Sequence, residues 1–219
     1  MQRLAGWLRL IAAATWLTLL TGGAAAQVAG KDYQAIKPPQ PIESGNKVEV
    51  IEFFSYACPH CHSLQSPLQA WLKRKPADVE FRRVPAVFRD SWVPFARIYY
   101  TLEAMGLLEK LHHDVFSAIH DQNIRLQDSK ILFDWAAGKG VDRKKFMDTY
   151  NSFAVQSHTQ RASDVTRRYS VEFTPAIVVN GRYLTGPSMT ATGNTVDYDR
   201  FFKVLDQMIA AARKNPPGK

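Results

Sequence analysis

The hydrophobic pattern in the first half of the chain predicts two strands with a helix between them. Residues 48–54 form an apolar run that does not alternate cleanly with polar residues, which indicates a strand buried on both faces. A second strand is expected over residues 79–84. Between them, Leu64, Leu68 and Trp71 recur at the spacing of one helical face. The predicted order is therefore strand, helix, strand.

The strand pattern disappears between about residues 91 and 169, where apolar positions recur at helical spacing instead. Asp128 and Asp142 are expected to cap helices, because a short acidic side chain accepts hydrogen bonds from the free N–H groups of a first turn. We predict four or five helices in this block. It also contains four histidines that we expect at the surface: His112, His113, His120 and His158.

Strands return near the C terminus. Residues 176–179 and 182–185 are apolar runs separated by Asn180-Gly181, a pair that strongly favours a tight hairpin turn. A final amphipathic helix is expected to begin near Tyr198. Because the two late strands form a hairpin, they must join the first sheet as antiparallel members. The pattern thus predicts an α/β fold with a mixed central sheet.

The helical block divides this sheet domain, so we expect an all-helical domain inserted into it. The predicted bounds are residues 27–90 and 161–213 for the discontinuous sheet domain and 91–160 for the insert. A short edge strand is expected within residues 32–36, and residues 214–219 are expected to be a disordered tail. Apolar residues make up 46% of the full chain, which is enough to build the core of such a domain.

Residues 1–26 have the pattern of a secretory signal peptide. Arg3 and Arg9 are followed by an uncharged, mostly apolar run over residues 10–20, and three alanines precede a cut expected after Ala26. Eleven residues are too few to span a bilayer, which needs about 20. We therefore expect a soluble, exported protein.

The net charge of the chain is +8, and the predicted signal accounts for two of its arginines and none of its acids. The mature protein would keep a charge of +6 in short basic runs that are scattered along the sequence. Solvated surface faces explain such runs, so the charge does not predict nucleic-acid binding.

The chain has two cysteines, Cys58 and Cys61, and they form one C-x-x-C pair directly after the first strand. A disulfide that closes so small a loop constrains the unfolded chain very little, so this pair is better explained by reactivity than by stability. Cys58 is expected to cap the following helix, with Pro59 at its first position. The helix dipole would make the Cys58 thiol more acidic, whereas Cys61, one turn inside, should be harder to ionise.

Residues 53–61, with the sequence Phe-Phe-Ser-Tyr-Ala-Cys-Pro-His-Cys, resemble the active-site segment of the DsbA family of periplasmic thiol oxidases. Thr174-Pro175-Ala176, followed by Val179-Asn180-Gly181, is similar to the second active-site loop and hairpin of that family. The resemblance implies a thioredoxin-like fold with an inserted helical domain and a periplasmic location. It implies a monomer without a cofactor that donates its Cys58–Cys61 disulfide to unfolded exported proteins with free cysteines. A quinone-linked membrane partner of the DsbB type would reoxidise it.

The resemblance also assigns roles to individual residues. His60 would donate to the Cys58 thiolate and, when protonated, add a favourable charge. Thr174 and Pro175 would form a cis-proline loop that packs against the disulfide and offers backbone groups to an extended substrate. The threonine departs from the valine of the best-known oxidase and leaves substrate preference open. Glu52 has two interpretations: an acid that assists proton movement at the inner cysteine, or an edge carboxylate in water.

Other functions are also compatible with the sequence. Cys58-x-x-Cys61-His62 satisfies the pattern for c-type haem attachment, which would make the protein an electron carrier. A distal haem ligand would come from one of Met105, Met147, Met189 or Met208. Zinc would need a fourth ligand, and no second pair with zinc spacing is present in the sequence. A disulfide isomerase or reductase of the same fold is the other alternative, although residues 27–57 leave no room for the usual dimerisation domain.

Overall fold

The structure is a computed structural model that describes residues 30–214. The predicted signal peptide, its cleavage after Ala26 and residues 215–219 lie outside this range. Within it, the strands are β1 Gln34–Ala35, β2 Val48–Phe54, β3 Val79–Pro85, β4 Ala176–Val179 and β5 Tyr183–Thr185. The helices are α1 Pro59–Arg74, α2 Val93–Ala104, α3 Leu108–His120, α4 Ser129–Gly138, α5 Arg143–Tyr150, α6 Phe153–Arg168 and α7 Tyr198–Lys214.

The five strands form one mixed sheet in the order β1-β5-β4-β2-β3. Strand β2 runs parallel to β3 and antiparallel to β4, and β4 and β5 form the predicted hairpin. All seven residues of β2 are buried, as the lack of alternation predicts for a central strand. The predicted α/β fold with a mixed sheet is therefore confirmed.

The hairpin turn depends on its two central residues. Asn180 and Gly181 have φ angles of 51° and 62°, the positive values that a tight hairpin turn requires. A Cβ atom at Gly181 would lie 2.1 Å from the backbone oxygen of Gln40, so the glycine is also needed for close approach. Gln40 in turn donates its N–H to the Gly181 carbonyl over 2.8 Å. This turn therefore fixes the lead-in segment on the sheet.

Helices cover both faces of the sheet. On one face, α1 and α7 pack against β2 through a core that includes Leu68, Trp71 and Phe201. The other face packs against α6. Lys214 was predicted to belong to a disordered tail, but it is the last residue of α7. Arg213 holds this last turn through a 2.7 Å ion pair with Asp78. None of the helices within residues 30–214 has the length and apolar character to cross a membrane.

Five helices, α2 to α6, lie between β3 and β4, in agreement with the predicted block. Asp128 caps α4 by accepting hydrogen bonds from two backbone N–H groups, and Asp142 caps α5 in the same way through one. The predicted division between residues 160 and 161 falls inside α6. This helix packs against α2 of the insert and also places Ala162 and Val165 in the core of the sheet, so it joins the two parts.

Candidate active site

The two cysteines lie where the central strand passes into α1. Cys58 is the N-cap of α1, and its sulfur accepts a hydrogen bond from the Cys61 N–H over 3.4 Å. Pro59 occupies the first turn, where its missing N–H costs nothing. Cys58 is 7% exposed and Cys61 is completely buried. Both are free thiols in this structure, and only Cys58 is open to attack from outside.

The surroundings of the two sulfurs push their acidities apart. The pKa of Cys58 is lowered to about 5, chiefly by a hydrogen bond from the Cys61 side chain, against the opposing effect of burial. The Thr174 side chain and the backbone N–H groups of Cys61 and His60 lower it further. Burial raises the pKa of Cys61 well above its ordinary value of 9.0, and the neighbouring Cys58 raises it again. The reduced pair is therefore one thiolate and one thiol.

The second loop of the site reaches Cys58 through the pairing of β2 with β4. Phe53 pairs with Ala176, which places the preceding Thr174-Pro175 beside the start of α1. The Thr174–Pro175 peptide bond is cis. The Thr174 carbonyl oxygen lies 3.4 Å from the Cys58 sulfur. The structure thus brings the two sequence motifs together around one sulfur atom.

Replacing Thr174 with valine should raise the pKa of Cys58, because valine keeps the shape of threonine but cannot donate a hydrogen bond to the thiolate. The measurement is a pH titration of the ultraviolet absorbance of the thiolate in the reduced protein. Thr185→Val is the matched control, since the buried Thr185 hydroxyl donates to the Asp32 carbonyl instead. An unchanged Cys58 titration in Thr174→Val would contradict the expected result.

His60 is exposed, and within residues 30–214 its imidazole makes no hydrogen bond or ion pair. Its backbone N–H, by contrast, points to Cys58 and helps to lower the pKa of that thiol. The structure therefore places His60 at the site but gives its side chain no fixed contact. The predicted role of the imidazole stays a prediction.

Glu52 is completely buried on the central strand. The alternative of an edge carboxylate in water is therefore wrong, because β3 and β4 pair with both sides of β2. Arg83 on β3 donates to Glu52 over 2.8 Å. Burial raises the pKa of Glu52 in spite of the opposing effects of Arg83 and Gln65, and the carboxylate in turn raises the pKa of Cys61. Glu52 and the inner cysteine are thus coupled electrostatically.

Sequence reasoning missed a buried polar network behind Cys61. The hydroxyl of Tyr56 lies 2.7 Å from Nδ1 of His112, and Nε2 of His112 lies 3.2 Å from Oε1 of Gln65. The Gln65 amide donates to the Cys61 carbonyl over 3.1 Å. His112 is 7% exposed, so its expected surface position is wrong. A detectable signal was the spacing of four residues from Cys61 to Gln65, which places a polar side chain on the apolar face of α1.

His62 has a different environment from the one that haem attachment needs. Its Nε2 lies 3.0 Å from Oδ1 of Asp121, and its ring stacks on His120 with the ring centres 5.1 Å apart. Cys61 is buried in the same apolar core as the helical insert, so its sulfur does not face a surface that a haem could reach. In the described part of the chain, no cluster of three or more His, Cys, Asp or Glu side chains could hold a metal ion.

Comparison with known proteins agrees with this geometry. A family model described as a DSBA-like thioredoxin domain matches residues 82–197. The thiol:disulfide interchange protein DsbA of Bordetella parapertussis is 42% identical over 207 residues, which cover 94% of this chain and 97% of the relative. A match of that extent includes both cysteines. The DsbA of Pseudomonas aeruginosa is 41% identical over 165 residues, covering 74% of this chain and 78% of that relative.

Solved structures of the same group have the same fold. The crystal structure of Pseudomonas aeruginosa DsbA has a TM-score of 0.80 at 36% identity and covers 86% of this chain and 95% of that one. The oxidoreductase DsbA from Xylella fastidiosa has a TM-score of 0.76 at 35% identity, with coverage of 86% and 98%. The predicted thioredoxin-like fold is confirmed. The chain belongs to the DsbA family of thiol:disulfide oxidoreductases with a DSBA-like thioredoxin domain.

Proposed function

We propose that this protein is a periplasmic thiol:disulfide oxidase that donates its Cys58–Cys61 disulfide to newly exported proteins. The observation that carries the proposal is the separation of the two thiol acidities: Cys58 has a pKa of about 5, and that of Cys61 is raised well above 9.0. A stable Cys58 thiolate favours the reduced form of the pair, and a pair that favours its reduced form is a strong oxidant.

The transfer runs through a mixed disulfide. A substrate thiolate attacks the Cys58 sulfur of the oxidised protein, and Cys61 leaves and takes up a proton. A second substrate thiolate then attacks the substrate sulfur of this mixed disulfide, and Cys58 leaves as a stabilised thiolate. The substrate loses two electrons and gains a disulfide, while the protein gains two electrons and becomes a pair of one thiolate, Cys58, and one thiol, Cys61. The low pKa of Cys58 assists the second displacement, because a more acidic thiol leaves faster.

The remaining site residues support this reaction in distinct ways. Pro59 begins α1 so that the free N–H groups of this helix face Cys58, and the backbone N–H of His60 is one of the donors to its sulfur. Thr174 and Pro175 form the surface on which an extended substrate segment lies. Glu52 exchanges the proton of Cys61, because it is the buried carboxylate whose charge acts on that thiol.

The partners of this oxidase follow from its chemistry and its family. The electron donors are unfolded exported proteins with free cysteines, and the electron acceptor is a quinone-linked membrane protein of the DsbB type. A signal peptide of 26 residues, cleaved after Ala26, directs the protein to the periplasm, where it acts as a monomer. Relatives carry the name thiol:disulfide interchange protein, which fits this exchange.

The reduction potential of the Cys58–Cys61 pair tests the proposal. Equilibration with glutathione redox buffers should give a potential well above that of thioredoxin, which is about −270 mV. The potential is high because the lowered pKa of Cys58 stabilises the reduced protein. By linkage, this stabilisation is fully present above the ordinary thiol pKa of 9.0 and is lost as the pH falls through about 5. A potential as reducing as that of thioredoxin would favour the reductase or isomerase alternative instead.

A further inference from the structure

A cavity of about 440 Å³ opens beside the second loop of the active site. It is lined by residues 87–90, by side chains near the end of α6, and by residues 171–172, which lead into the cis-proline loop. Residues 87–90 lie at the same edge of the sheet as the redox pair, because β2 and β3 are parallel and the Ala86 N–H donates to the Phe54 carbonyl over 2.7 Å. The cavity therefore belongs to the surface around the redox pair.

An exposed aromatic side chain forms part of the cavity wall. Phe88 is 39% exposed, and the other large hydrophobic side chain that is exposed within residues 30–214 is Phe153. The Phe88 ring packs against Trp92 with the ring centres 5.0 Å apart, which fixes the ring and leaves part of it open to solvent. The buried Val171 adds apolar surface to the same cavity. Contact between these groups and an apolar side chain of a ligand would remove apolar surface from water.

The charges around the cavity do not favour a ligand of one sign. The cations Arg89 and Arg167 line it together with the acids Asp90 and Glu172. Arg167 already forms an ion pair with Asp164 on the same helix. Because charges of opposite sign are present in equal number, the apolar surface is the feature of the cavity that selects a ligand.

A substrate chain that is joined to Cys58 reaches the cavity. The Thr174 carbonyl oxygen lies 3.4 Å from the Cys58 sulfur, and Glu172, which lines the cavity, is two residues before Thr174. An extended chain rises about 3.3 Å per residue, so this separation is about 7 Å. A substrate side chain about two or three residues from the reacting cysteine therefore lies over the cavity when the chain follows the loop.

We propose that this cavity is a subsite for the substrate chain. It takes an aromatic or large aliphatic side chain about two or three residues from the cysteine that reacts with Cys58, and Phe88 determines this specificity. The inference rests on the proposed oxidase function and extends the substrate surface beyond Thr174-Pro175. Apolar side chains are open to contact in an unfolded protein and mostly buried in a folded one. The subsite therefore favours unfolded exported proteins over folded ones.

Reduction of the oxidised protein by short unstructured peptides tests the subsite. Each peptide has one cysteine and is added in excess, so that two peptide thiols reduce the Cys58–Cys61 disulfide and are themselves joined as a disulfide. Acid quenching, alkylation and mass spectrometry give the rate. Phenylalanine is moved along an otherwise polar peptide, and serine takes its place in the reference peptide. We expect reduction about tenfold faster when phenylalanine is about two or three residues from the cysteine on one side.

The gain is the ratio of the rates with the phenylalanine and serine peptides, which a general loss of stability or reactivity does not change. Phe88→Ser should lower this ratio from about ten to about one. Phe153→Ser is the matched control and should keep the ratio, because Phe153 is exposed at the opposite end of α6 from the cavity. If Phe88→Ser does not fold, Ser163→Arg takes its place, since it fills the cavity from α6 with a charged side chain. The gain should lie in the peptide concentration for half-maximal rate, with the maximal rate the same for both peptides.

Failure of the inference and failure of the proposed function give different results. If all peptides reduce the protein at one rate wherever phenylalanine stands, or if Phe88→Ser keeps the ratio, the protein is still an oxidase and the inference is overturned. If the redox pair is as reducing as that of thioredoxin, the peptides leave most of the protein oxidised. The oxidase function then fails, and the inference fails with it.

Discussion

Replacing Cys61 with serine should abolish turnover and leave Cys58 joined to its partner in a stable mixed disulfide. Cys58 keeps its place at the helix start and remains the sulfur open to attack, whereas a serine hydroxyl cannot displace a thiol from a disulfide. After incubation of the reduced variant with oxidised glutathione, mass spectrometry should find one glutathione on Cys58 in nearly all molecules. The unmodified protein should show almost none, because Cys61 closes the ring.

The matched control for this experiment is Cys58→Ser. Its remaining thiol, Cys61, is completely buried and its pKa is raised well above 9.0, so it should react with oxidised glutathione far more slowly. Both variants lose turnover, and only one forms the adduct. Equal rates of adduct formation at the two positions would show that the two sulfurs do not have the separate roles that their surroundings indicate.

Replacing Arg83 with methionine should lower the free energy of unfolding by about 3–5 kcal/mol near neutral pH, because it leaves the carboxylate of Glu52 buried without its ion-pair partner. Arg83 is itself mostly buried, with 16% of its side chain exposed, so water cannot take its place. Urea unfolding monitored by circular dichroism measures the loss. The double variant Arg83→Met with Glu52→Gln should recover much of it, because neither charge of this buried pair remains.

The loss in Arg83→Met should depend on pH with a definite sign. Burial already raises the pKa of Glu52 in the folded protein, and removal of Arg83 raises it further. Such a group destabilises the folded state increasingly as the pH rises through its folded pKa, so the deficit should shrink at acidic pH. Lys47→Met is the control. Lys47 forms an ion pair with the half-exposed Glu80, which lies on β3 like Arg83, and the loss of this pair should change stability little at any pH. A deficit independent of pH would show that lost packing, not the buried charge, is responsible.

The elements nearest the redox pair could be predicted because residues that are neighbours in the sequence determine them. An unbroken apolar run such as β2, a proline after a capping cysteine, and Asn180-Gly181 between apolar runs each specify a conformation without help from distant residues. The acidity difference between Cys58 and Cys61 also follows from helix position. The directions predicted for both thiols match those in the structure, although the largest effect on Cys58 comes from Cys61 itself.

The positions of Glu52 and His112 could not be decided locally, because both depend on tertiary pairing. Glu52 lies on a central strand because β4 returns from far along the chain to pair with β2 on the side opposite β3. His112 is buried on α3 next to Leu111. The sequence of α3 does not show that the side of the helix with His112 packs against α1, because that contact is between distant parts of the chain. The predicted boundary at residue 160 falls inside α6 for a similar reason: a helix carries no sequence mark where its contacts change from one core to another.

Helix α6 has a consequence for how the molecule opens. It is one continuous rod whose first half packs on the insert and whose second half packs on the sheet. Motion of the insert as a separate body would have to break the helix or pull Ala162 and Val165 out of the core. We therefore expect the two parts to unfold as a single cooperative unit, with the amide hydrogens at the middle of α6 exchanging with solvent only when the whole molecule unfolds.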